Sequence, residues 1–144
     1  FSKSNILWVV TSDHGEGLGS HDYQYHGRHL YQEQIRTPLI FYHSRNKPKT
    51  VRTLARHLDI YPTIVEMLGF GSKDLNISGG SLLSSIPKYN LSVSYKENFS
   101  DEVLGLSLVK NEYQLVLNNF RPDELFNNTT DFYQNKNRPT DHLF

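Results

Sequence analysis

The sequence predicts an α/β fold: part of a parallel sheet with flanking helices, followed by a small antiparallel sheet near the C-terminus. Three observations predict it. Ile6 to Val10 are continuously apolar and bulky, as suits a strand buried on both faces of a parallel sheet. A helical stretch and a second apolar strand follow it at short range. Beyond residue 90 the chain turns into short β-type runs separated by polar turn residues, the mark of an appended antiparallel sheet.

The first strand ends abruptly in Asp13, His14 and Gly15. In an open α/β sheet such a C-terminal strand edge lies at the mouth where ligands sit. Glycine suits a sharp departure from the strand. Arg28 to Arg36 contains no Gly or Pro, and Tyr31 and Ile35 sit four apart, so a short helix is expected before Pro38 stops it. Leu39 to Tyr42 reads as the second strand, bounded by the polar loop Ser44 to Lys49, and Thr50 to Leu54 as a connecting or edge strand.

Asp59 is placed to cap a helix with Pro62 in its first turn. Ile60, Ile64 and Leu68 recur at four-residue spacing on a core face, and Gly69 is a natural left-handed terminator. Residues 70 to 90 read as a polar connection with one apolar turn at Leu82 to Ile86. Leu91 to Tyr95, Gly105 to Val109 and Tyr113 to Leu117 are the predicted antiparallel strands, the last two joined by a hairpin turn at Lys110 to Glu112. Past Asn127 the chain is polar and expected to be irregular, with Asn135 to Pro139 disorder-prone in composition. The organisation expected is a core over 1–90, carrying the loop after the first strand, and a small sheet with a tail over 91–144.

The chemistry concentrates in that loop. His14, His21, His26 and His29 are four of the seven histidines, and Gly15, Gly17, Gly19 and Gly27 are interleaved with them. Carboxylate oxygen and imidazole nitrogen both suit borderline divalent metals, so Asp13 and His14 are candidate ligands. Asp-His-Gly alone is also what a polar turn closing a strand looks like. The clustered histidines on a glycine-rich loop favour a site.

These residues carry a resemblance. Thr11-Ser-Asp-His-Gly-Glu-Gly-Leu-Gly-Ser-His21, Tyr25-His-Gly27, Leu30-Tyr31 and Ile35-Arg-Thr-Pro-Leu-Ile40 resemble the C-terminal part of the sulfatase branch of the alkaline-phosphatase superfamily. His57-Leu-Asp-Ile-Tyr-Pro-Thr-Ile-Val-Glu-Met-Leu-Gly69 looks like that family's Asp-x-x-Pro-Thr helix. Leu108 to Leu115 and Glu124 to Asp131 look like its closing hairpin and final segment.

The resemblance implies a metal-dependent hydrolase of sulfate or phosphate esters, of which this is a C-terminal fragment of the catalytic domain. It implies Asp13 and His14 as metal ligands, for manganese, zinc or calcium. It implies His26 at the substrate's non-bridging oxygens or leaving group, and less strongly His21 at the substrate. Glu16 is a candidate partner orienting His14, and Tyr23 and Tyr25 candidate pocket walls. His29 reads as structural, and His43, His57 and His142 receive no role.

The family's nucleophile and remaining ligands precede the matched segment, and the Cys/Ser-x-Pro-x-Arg pattern is absent. These 144 residues alone are therefore expected to bind metal weakly and to turn over no ester, the N-terminal part of the same enzyme supplying the rest. The implied substrate is a small sulfate or phosphate ester. The implied location is extracytoplasmic or membrane-associated. Phosphoethanolamine or lipoteichoic-acid transferases, phosphonate monoester hydrolases and an inactive metal-stabilised binding module are the alternatives.

Composition excludes other classes. Fifteen basic and fifteen acidic residues balance, so neither a nucleic-acid footprint nor a polybasic membrane patch is indicated. No apolar run approaches the roughly 20 residues of a membrane span. Cysteine is absent, which removes disulfides and thiolate chemistry. Sequons occur at Asn76, Asn90, Asn98, Asn127 and Asn128, a number that an asparagine-rich chain produces by composition.

Overall fold

Leu7–Thr11 forms strand β1 and Leu39–His43 strand β2. The structure is a computed structural model and describes residues 6–44, 46–70, 77–96 and 101–138. In it β1 and β2 pair antiparallel, with Trp8 opposite Tyr42 and Val10 opposite Ile40. The parallel pairing expected of β1 is thus corrected. Within this chain one face of the pair is open, since Trp8 is 58% and Tyr42 59% exposed, with Val10 and Ile40 beside them. An apolar run encodes a strand that suits burial, but what lies over it, and in which direction its neighbour runs, comes from elsewhere in the fold.

Only Gln32–Ile35 of the predicted 28–36 helix is helical (α1). Leu30 and Tyr31 precede it in non-helical backbone and are buried with Val116 and Phe126, Ile35 packing against them. This small core joins the histidine loop to the C-terminal sheet. Thr50 to Leu54 forms no strand.

A 3-10 turn, His57–Asp59, leads into α2, Ile60–Met67. The buried face is Pro62, Thr63 and Val65; Ile60 and Ile64 are half-buried and Leu68 exposed, so the face is rotated from the predicted stripe. Asp59 is fully buried but does not cap α2 with its side chain. Its carboxylate accepts from the Arg56 N–H and guanidinium at 2.8–3.0 Å and from the Gly80 N–H at 3.0 Å. Gly69, at φ +80°, ends the helix as predicted, with Phe70 N–H donating to Val65 O at 3.0 Å.

The C-terminal sheet has the order β3-β4-β5-β6, all antiparallel: Asn90–Tyr95, Val103–Lys110, Tyr113–Asn118 and Glu124–Asn127. Three of these strands and the turn at Asn111-Glu112 match the sequence reading; Glu124–Asn127 adds a fourth strand. The tail is irregular but tied down. Gln134 is buried, and Arg138 N–H donates to Leu125 O at 2.8 Å, so the segment is more ordered than its polar composition suggests.

Buried Gln114 ties the parts together. Its amide donates to Leu30 O and Ser107 Oγ, while its oxygen accepts from the Gln32, Gln134 and Asn128 amides. Asn127 is buried and its Oδ1 accepts the Thr129 and Thr130 N–H groups. Asn76, Asn98 and His142 lie outside the described residues. Among those described, no helix is long and apolar enough to cross a membrane.

Candidate functional site

Four residues past β1 the chain meets α1. Gly15 N–H donates to Gln34 O at 2.8 Å, and a Cβ on Gly15 would stand 2.0 Å from Glu33 O. Glycine is required here by this close approach. Positive φ comes later in the loop, at Leu18, Gly19, His21 and Asp22. Gly17, Leu18 and Gly19 donate backbone bonds to Tyr25, Gln24 and Tyr23, folding the loop back so that His26 returns beside His14.

The Asp13 carboxylate is exposed, and its Oδ1 accepts His14 N–H at 3.1 Å. Backbone N–H groups of Asp13 and His14, then the His14 and His26 rings, hold it below the usual carboxylate range, so it is an anion at neutral pH. His14 Nδ1 lies 2.8 Å from Gly15 O. A carbonyl only accepts, so Nδ1 carries the proton and Nε2 of the neutral ring keeps its lone pair. That Nε2 is 3.5 Å from Asp13 Oδ2. Two ligands at about 2.0–2.2 Å from a tetrahedral ion stand about 3.4 Å apart, so both atoms could bind one cation without rearrangement. Among the described residues no group of three or more His, Cys, Asp and Glu is arranged to hold a metal. Asp13 and His14 are therefore part of a coordination sphere at most.

His26 stacks on His14, ring centroids 3.8 Å apart and planes at 22°. Its Nδ1 is 3.0 Å from Glu16 Oε2. Glu16 thus orients His26, where the sequence suggested His14, and its other oxygen is buried without a partner. Asp13, His14, Glu16 and His26 form one cluster. Asp13 and His14 also line a broad open trough with β2, the 46–58 segment and β3.

His21 stands apart from this cluster. Its ring stacks on Tyr31, with Nδ1 2.8 Å from Glu33 Oε1 and Nε2 3.2 Å from Gln134 O. Both nitrogens are engaged, and the ring joins loop, helix and tail. His29 packs against Tyr23 and Tyr31, and burial, with Arg121 and Arg28 adding, pushes its pKa down. Tyr23 is a scaffold residue, its hydroxyl donating to His26 O at 3.4 Å, while Tyr25 is exposed. The sequence reading missed His57, whose Nε2 lies 2.8 Å from Ser12 O and braces the backbone just before Asp13. No local signal marks that contact, since it spans 45 residues.

The sulfatase family model matches residues 2–70, the part that holds this cluster. This part of the chain is similar to the sulfatases. The Escherichia coli (strain K12) protein named "Uncharacterized sulfatase YidJ" is 28% identical over 135 residues, 90% of this chain and 27% of that protein. A structure from Bacteroides thetaiotaomicron VPI-5482, described as a "putative sulfatase", superposes with a TM-score of 0.81 at 22% identity, over 95% of this chain and 32% of that one. Another, solved in complex with its substrate D-glucosamine-2-N,6-O-disulfate, gives 0.74 at 22% identity, over 91% of this chain and 29% of that one. The two structures bear on the fold, and they identify it as the mixed α/β fold of the sulfatases. The chain spans between about a quarter and a third of the length of these relatives.

Proposed function

We propose that this chain is the C-terminal part of a metal-dependent hydrolase that cleaves sulfate monoesters, sulfated sugars being the class of substrate. The observation that carries the reading is the cluster itself: Asp13 Oδ2 and His14 Nε2 3.5 Å apart, with His26 stacked on His14 and held by Glu16. A divalent cation held there in part by Asp13 and His14 would supply charge stabilisation for an ester oxygen. The chain's own residues do the rest. Asp13 brings the negative charge that balances a cation, and the Gly15 carbonyl fixes the tautomer of His14. Glu16 holds His26 by Nδ1, leaving Nε2 to donate a proton to the leaving oxygen or a hydrogen bond to the sulfuryl group.

The nucleophile belongs to the remainder of the enzyme. The trough, at about 2190 Å³, far exceeds the about 300–1,000 Å³ of ordinary ligand pockets and suits further protein packing against β2 and β3. The exposed Trp8, Val10, Ile40 and Tyr42 face of the β1–β2 pair supports the same reading.

The test uses the full-length protein with sulfate, phosphate and phosphonate monoesters, each before and after chelation and metal add-back. Sulfate-ester turnover that chelator abolishes and metal restores is expected. Turnover of phosphate or phosphonate esters alone would assign the phosphoryl-transfer branch. Turnover indifferent to chelator and to H14A would overturn the reading.

A further inference from the structure

A second cleft opens beyond the far side of His29, which lines both it and the trough. It has a volume of about 270 Å³ and is walled by Arg28, His29, Leu104, Asn118, Phe120 and Arg121. Its chemistry is unbalanced. Among the described residues neither Arg28 nor Arg121 forms an ion pair. Arg121 reaches only neutral partners, Tyr31 Oη at 3.4 Å and Asn118 Oδ1 at 3.3 Å.

The nearby carboxylate is already engaged. Glu124 accepts the Tyr31 hydroxyl, 2.8 and 3.0 Å from its two oxygens, and the Asn118 amide at 3.2 Å. Tyr31 stays neutral, its pKa pushed up to about 12 by burial and then by Glu124. His29 carries no compensating negative charge. Two guanidiniums thus line one small cleft without a carboxylate partner among the described residues, Arg121 making only long bonds to neutral oxygens, and a guanidinium fork is matched to the paired oxygens of a sulfate or carboxylate.

The cleft is also close to the cluster. Arg28 follows His26 by two residues, so their Cα atoms are at most about 7 Å apart. A substituent on the same sugar, or on the next one, spans such a distance.

We infer that this cleft is a second anion subsite, in which Arg28 and Arg121 bind an oxyanion substituent of the substrate, a sulfate or a carboxylate, other than the ester that is cleaved. The enzyme is then selective for polyanionic sugars over those with a single sulfate. This rests on the sulfate-ester reading for the identity of the substrate, but binding reads it without turnover.

Calorimetric titration of the full-length protein with a monosulfated hexosamine, a disulfated hexosamine and a monosulfated hexuronic acid is the test. At least one dianion is expected to bind about tenfold tighter than the monosulfate, an advantage that shrinks with added salt. Preference for the disulfate assigns a sulfate to the subsite; preference for the hexuronic acid assigns a carboxylate. In R28Q and R121Q the advantage falls to within about threefold, while R121K keeps part of it through its charge. Arg28 is exposed and R28Q leaves the core alone, so R28Q decides the matter if R121Q fails to fold.

Equal affinity for all three ligands in the wild type, or an advantage undiminished in folded R28Q, overturns the subsite. Absence of sulfate-ester turnover with the binding preference intact would instead sink the proposed reaction and leave the subsite standing.

Discussion

The imidazoles of His14 and His26 lie face to face, 3.8 Å between centroids, and only one of them is held by a carboxylate. Glu16 takes His26, while His14 is fixed by a main-chain carbonyl. The division gives each ring its own anchor. Replacing Glu16 with Ala removes the acceptor that holds His26 Nδ1 and frees the ring to turn away from His14. In the full-length enzyme E16A is expected to lower kcat by about 10–100-fold, the usual cost of losing such an orienting partner. Metal affinity should change less than in H14A. Wild-type kcat in folded E16A would show that Glu16 only fills space.

Gly15 gives a sharper test of placement. A methyl group would stand 2.0 Å from Glu33 O, so G15A must push the Asp13-His14 turn away from α1. A displacement of about 1 Å costs on the order of 10²-fold in activity where geometry governs the rate. Loss of activity with at most a small change in melting temperature is expected; wild-type activity in folded G15A would mean that the turn need not touch α1.

What the residues made legible was the local part of this arrangement. The apolar run ending in Asp13-His14, the loop glycines, the Gly69 stop and the Asn111-Glu112 turn each follow from chemistry within a few positions. The antiparallel pairing of β1 with β2 was not legible, because an apolar run says nothing about the direction of its neighbour. Nor was the role of His21, whose partners Glu33 and Gln134 are 12 and 113 positions away. The His26–Glu16 pair is half visible: both residues stand in the glycine-rich loop, but loop backbone geometry decides which histidine the carboxylate meets.

Gln114 is the clearest case of a residue invisible in sequence and central in the fold. It is fully buried, and its amide meets groups from α1, β4, the segment after β6 and the tail. Q114L removes one side of five contacts and strands several polar groups in the interior. A loss of about 3 kcal/mol or more is expected from denaturant melts, since each stranded group costs about 1–3 kcal/mol. Q114E should do nearly as badly, because a carboxylate cannot donate to Leu30 O and Ser107 Oγ. A loss below about 1 kcal/mol in Q114L would mean that the buried amides re-pair among themselves.

Asp59 sets the acid limit of stability. Burial alone would raise its pKa, but the Arg56 guanidinium, the Gly80 N–H and the Arg56 N–H outweigh burial and hold the carboxyl below its ordinary value. The folded state therefore favours the anion more than the unfolded chain does. The stabilisation is complete above the unfolded pKa, near 3.8, and is lost as pH falls through the lower folded value. D59N removes the charge while keeping the size. It is expected to cost about 1.5–3 kcal/mol at pH 7, the range for hydrogen bonds to charged groups. Arg56 is only partly buried and can turn to water, so the loss stays below that of a stranded interior charge. Below pH 4 the variant and wild-type stabilities should converge, because the wild type is then losing the same interaction. Urea melts at pH 7, 5, 4 and 3 would measure it; a gap between the two proteins that stays constant down to pH 3 would show that Asp59 stabilises through packing and not through its charge.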